Sequence, residues 1–150
     1  MDAAAPIVIG IALAALVATF AALVGFDRER SFYPTVLIVI ASYYELFATL
    51  AGNASVAVSE AAIFALFCAG AILGFKTSPW IVVVALCAHG GFDVVHSHMI
   101  TNPGTPSWWP SFCFGFDVTA AGCLAARIGA GSKPAKAKHG YERLIENSAL

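Results

Sequence analysis

Charge is the scarcest property of this 150-residue sequence: only 11% of it is Asp, Glu, Lys or Arg, against about a quarter in an ordinary soluble domain. The apolar share is 59% and the mean hydropathy is +0.81. A soluble fold of this length has too little interior to hide so much apolar surface. The same arithmetic excludes a disordered chain, a coiled coil and a secreted disulfide scaffold. A formal net charge of -1 offers nothing to a polyanion, so nucleic acid is excluded as a partner. Cys68, Cys87, Cys113 and Cys123 all fall in apolar stretches without CxxC spacing, which leaves neither a disulfide framework nor a zinc ribbon. Walker, Rossmann and nucleophile-elbow motifs are missing too.

What is there is a series of long apolar runs. A helical span needs roughly 20 mostly apolar residues, and five such runs fit: Pro6–Gly25, Phe32–Ala51, Val56–Phe75, Pro79–Ile100 and Ser107–Arg127. Pro6, Pro34 and Pro79 sit in first turns, where a missing N–H costs nothing, and Ser31 and Ser78 are placed to cap two helices. Gly52-Asn53 and Pro103-Gly104 break the runs. The sequence therefore predicts an all-α, polytopic membrane protein. Residues 1–128 would form a five-helix transmembrane bundle and residues 129–150 a polar, basic tail. The first run lacks a positively charged n-region, so it is expected to be retained as a span.

Lys and Arg set the expected orientation. Arg28, Arg30, Lys76, Arg127, Lys133, Lys136, Lys138 and Arg143 all fall in the first connection, the third connection or the tail. Five spans with the N-terminus outside and the C-terminus cytoplasmic place every one of them inside, as expected in a bacterial-type plasma membrane. The bilayer is thus the first partner. Gly70 and Gly74 have the spacing of a close helix contact or of a homo-oligomer seam.

Ionisable residues within the spans are costly in hydrocarbon, and each is a functional-site hypothesis by default. They are Glu45, Glu60, His89, Asp93, His96, His98 and Asp117. At roughly 1.5 Å per residue, His89 and Asp117 fall near the midplane, and Glu45, Asp93 and His96 in the outer half. Glu60 is expected near the outer surface. His89, Asp93 and His96, spaced i, i+4 and i+7, share one helix face, whereas His98 points the other way. No Lys or Arg is available there to pair with the carboxylates. Each must be protonated, paired with a protonated His, bound to a cation or exposed to water.

Two chemistries follow. A divalent metal, zinc or iron, would be held by His89, Asp93 and His96 with Glu45 and Asp117 closing the sphere from neighbouring helices. Without a metal, Glu45, Asp93 and Asp117 would exchange protons as catalytic acids and bases. The bland alternative is a set of interhelical hydrogen bonds that only hold the bundle. Trp108 and Trp109 mark an interfacial belt or, with Tyr44, an entrance for a lipophilic small molecule. The leading expectation is a metal-dependent or acid–base enzyme acting on a lipophilic substrate. A proton- or cation-coupled transporter and an accessory subunit of a larger complex are the alternatives. The orientation is directly testable. A Gly52→Cys or Thr101→Cys variant should react with an impermeant maleimide added outside intact cells, and an Arg30→Cys variant only after permeabilisation. The reverse pattern would invert the bundle.

Overall fold

The computed structural model describes residues 4–131. Six α-helices follow one another: α1 (Ala4–Val24), α2 (Phe32–Ala41), α3 (Tyr43–Leu50), α4 (Ala54–Lys76), α5 (Pro79–Met99) and α6 (Trp109–Gly131), with a 3₁₀ turn at Phe26–Arg28. Among the described residues there is no strand. α2 and α3 are two halves of one rod, Phe32–Leu50, so five rods are long and apolar enough to cross a membrane. The described chain is all-helical, and these five rods fit a membrane protein by length and composition. α6 continues to Gly131, and the rest of the expected tail, 132–150, lies outside the described residues.

The break between α2 and α3 has a local cause. The Ser42 hydroxyl donates to the Val39 carbonyl at 2.7 Å, the back-bonding that bends helices. Capping departs from expectation: Ser31 and Ser78 precede α2 and α5 without a side-chain cap bond. Asn53 instead caps α4, its Oδ1 accepting from the Val56 N–H at 3.2 Å.

Close backbone approach organises the rods. α1 packs on α6, α6 on α5, α5 on α4, and α4 on α2 and α3. Gly10 of α1 lies against the Phe112 carbonyl, and Gly115 of α6 lies against the Ile7 carbonyl, so a Cβ at either position would meet backbone. Small residues at such crossings replace the hydrophobic drive that lipid removes. Gly90 of α5 brings that helix to 3.4 Å from the Asp117 Cβ, measured from where its own Cβ would sit. The Gly70/Gly74 pair is spent inside the chain, facing Ala85 and Val82 of α5.

α1 does not pack on α2, its successor in sequence. An apolar crevice of about 550 Å³ separates them, lined by Leu13, Phe32, Val36, Tyr43, Trp109 and Phe112 among others. A buried core of Leu37, Phe67, Ala71, Val82, Leu86 and Leu124 fills the lower section between α2, α4, α5 and α6. At that end, Arg127 of α6 pairs with the buried Asp27 of the α1–α2 connection. Gly115→Leu should destabilise the protein by about 1–3 kcal/mol through overpacking. Gly122→Ala, inside α6 at a face with nothing within 4 Å, should hold stability or raise it by up to about 1 kcal/mol. Thermal unfolding in detergent distinguishes the two.

Candidate functional site

The polar side chains gather in the half of the bundle opposite the Arg127–Asp27 pair. Their positions follow from helix phase. α5 turns His89, Asp93 and His96 to one buried face, and α6 turns Asp117 toward them, 0% exposed. His89 Nδ1 lies 2.6 Å from Asp117 Oδ2, so a proton is held between the two, and 3.6 Å from Asp93 Oδ2. One ligand atom from each of these three residues falls within 4.8 Å of the others, a spacing that suits a single metal ion. Phe67 meets the His89 ring edge to face, with centroids 4.7 Å apart.

A second group sits beside the first. His96 Nε2 is 2.8 Å from Glu60 Oε1 of α4. Asn102, in the α5–α6 connection, donates from Nδ2 to the same Glu60 oxygen and to the Tyr44 carbonyl, both at 2.9 Å. Tyr44 joins the groups: its hydroxyl donates to Asp93 Oδ1 at 2.8 Å, and its ring stacks on His96 with centroids 3.8 Å apart. Glu60 Oε2, Asp93 Oδ2 and Asp117 Oδ1 are buried without a hydrogen-bond partner among the described residues. Unpartnered carboxylate oxygens in an apolar surround are costly unless a proton or cation meets them.

Access comes from the end that carries the α5–α6 connection. A cleft of about 630 Å³ reaches Asp93 and His96 between Asn102, Thr105, Pro110 and Phe114. The apolar crevice between α1 and α2 stops short of the group, because the buried Cys113 closes its inner wall.

The structure redistributes several residues expected to act together. His89, Asp93 and Asp117 do converge. His96 is not in their group, because the Tyr44 ring stands against it and Glu60 takes its Nε2. Glu45 does not join either: it is partly exposed beside Cys68 of α4, since the inward position on α3 belongs to Tyr44, one residue and about 100° away. Tyr44 is accordingly a member of the site, 2% exposed, rather than part of an entrance. Trp108 is exposed, and Trp109 packs on Tyr43 and Phe47 with centroids 4.9 and 5.0 Å apart. Neither tryptophan lines the polar cleft.

Glu60 was expected near the outer surface and outside the ligand set, and Asn102 was not expected in the site. A carboxylate one turn inside a span reads as interfacial unless something covers it, and the cover is the α5–α6 connection. Gly104 of that connection lies against the Phe47 carbonyl of α3, which fastens Asn102 over Glu60. His98, exposed at the end of α5, is where its phase placed it.

Comparison of the chain with protein-family models, with curated proteins and with solved structures finds no match. The class of protein therefore rests on the helices and the buried cluster alone.

Glu60→Ala leaves His96 Nε2 without its partner and takes one of the two acceptors from Asn102 Nδ2, and should cost about 1–3 kcal/mol. Glu45→Ala should cost less than about 0.5 kcal/mol, the ordinary effect of a substitution away from buried features. Equal losses for the two variants in detergent unfolding would contradict this assignment.

Proposed function

We propose that the protein is a membrane enzyme that holds a divalent metal ion between His89, Asp93 and Asp117 and acts on a lipophilic substrate whose polar group enters the cleft. The observation that carries this reading is the buried trio itself: one imidazole nitrogen and two carboxylates within 4.8 Å of one another. Asp93 Oδ2 and Asp117 Oδ1 lack a geometrically good hydrogen bond among the described residues, though His89 Nδ1 lies 3.6 Å from Asp93 Oδ2, and no Lys or Arg lies in the described segments 32–75 and 79–126 that surround them. A doubly charged cation would balance both carboxylates, where His89 alone can offset at most one.

Three protein ligands leave a coordination position open, the arrangement of catalytic rather than structural sites. One nitrogen and two oxygens suit zinc or iron. Such an ion, when bound, lowers the pKa of a water or polarises a substrate oxygen. The chain's own residues supply the rest. Tyr44 fixes the Asp93 carboxylate through its hydroxyl. His96, held by Glu60, stands on the cleft wall as a proton donor or acceptor for a group lodged there. The apolar part of the cleft lining, Ile7, Val94, Pro110 and Phe114, would take an apolar chain beside the polar group.

Transport of protons or a cation, and an accessory-subunit role, have less to support them. Below the site the section is filled by Leu37, Phe67 and Leu86, which favours a site with one mouth over a path between two. The orientation read from the sequence would place that mouth on the outer side of a plasma membrane.

Protein purified in mild detergent without chelator should carry close to one metal ion per chain by mass spectrometry. His89→Ala and Asp117→Asn should lose it while remaining folded, and His96→Ala should keep it. A folded wild type without metal, after exposure to zinc and ferrous iron, would remove the metal reading and leave proton chemistry in its place.

A further inference from the structure

The end of the bundle away from the His/Asp trio holds a cavity of its own, of about 450 Å³, with Arg28, Arg30 and Arg127 on its walls. The described residues contain four Lys or Arg in all, Lys76 being the fourth, so three of the four share this one cavity. Asp27 and Glu29 line it as well, leaving one positive charge in excess. Asp27 is already taken, by Arg127. Arg30 donates to the Thr77 carbonyl at 3.2 Å, which ties the α1–α2 connection to the α4–α5 turn. Neither Arg28 nor Arg30 meets a carboxylate within 4 Å among the described residues, where Arg127–Asp27 is the one ion pair made by Lys or Arg.

Two guanidinium groups thus line the cavity with donors to spare, Arg30 being tied to Thr77, and Tyr33 lines it as well. Guanidinium groups match the paired oxygens of a phosphate better than any other side chain. The floor is apolar, with Pro79, Val82 and Leu124, which suits the part of a phospholipid just below its headgroup. The sequence-based orientation puts this end at the cytoplasmic leaflet, where anionic lipids concentrate and where basic pockets between helices take lipid headgroups.

We propose that this cavity is a phosphate-binding site, with Arg28 and Arg30 gripping the phosphate oxygens and the Arg127–Asp27 pair fixing the wall behind them. It is independent of the metal site and of any activity there. The phosphate belongs either to an anionic phospholipid or to a free solute, and the test separates the two.

The full chain in mild detergent is titrated with dioleoyl phosphatidylglycerol and, separately, with inorganic phosphate, and bound ligand is read by native mass spectrometry. Wild type should retain one ligand. Arg28→Gln combined with Arg30→Gln should weaken binding roughly tenfold or more, the effect of losing charge-assisted hydrogen bonds. Arg28→Gln alone removes no hydrogen bond among the described residues and should give a measurable part of that loss. Lys76→Gln, outside the cavity, should bind as wild type does. Arginine-dependent retention of phosphatidylglycerol alone assigns a lipid headgroup, and arginine-dependent binding of inorganic phosphate assigns a soluble phosphate. Equal binding by wild type and both arginine variants with both probes would overturn the proposal.

Discussion

Three carboxylates, Glu60, Asp93 and Asp117, are buried in an apolar bundle where, among the described residues, the nitrogen bases that reach them are two histidines. That constraint orders the half of the molecule in which they lie. Each carboxylate has one oxygen engaged and the other unpartnered, so each helix that brings one must be held in register to a fraction of a turn. Hydrocarbon gives helices no hydrophobic reason to pack on one another. The register comes from backbone contacts at Gly10 and Gly115, from the α6 side chains that pack against Gly90, and from the hydrogen bonds of the site itself.

Polar chemistry is divided between the two ends. One end carries His89, Asp93, Asp117, His96, Glu60 and Tyr44 under the α5–α6 connection, and the other carries the arginines. Between them lies the packed apolar section around Leu37 and Leu86. The two ends can therefore serve different ligands: a cation where acidic groups are in excess, and an anion where guanidinium groups are. The lateral crevice between α1 and α2 is closed from the trio by Cys113 and borders the arginine cavity at Glu29, which lines both.

Much of this was legible in the sequence, for identifiable reasons. Span length and turn residues fixed the five rods to within a few residues, since bilayer thickness dictates the length of a helix that crosses it. The i, i+4, i+7 spacing put His89, Asp93 and His96 on one buried face, and the depth of Asp117 matched theirs. Tertiary detail was not legible. Glu45 and Tyr44 are adjacent in sequence and differ by one helical step, so without knowing which face of α3 meets α5 the acidic residue looks like the better partner. Glu60 looked interfacial because its cover comes from Asn102, 42 residues away. His96 shares a face with His89, yet the Tyr44 ring from another helix divides them.

The central claim is that His89, Asp93 and Asp117 together hold a cation. X-ray absorption at the edge of zinc or iron, recorded on metal-loaded protein, reads that shell directly. It should show an oxygen-rich first shell with a single imidazole, and no sulfur at about 2.3 Å, the distance of a thiolate ligand on zinc. Two or more imidazoles, or a sulfur ligand from Cys113, would place the metal elsewhere and contradict the assignment of the trio.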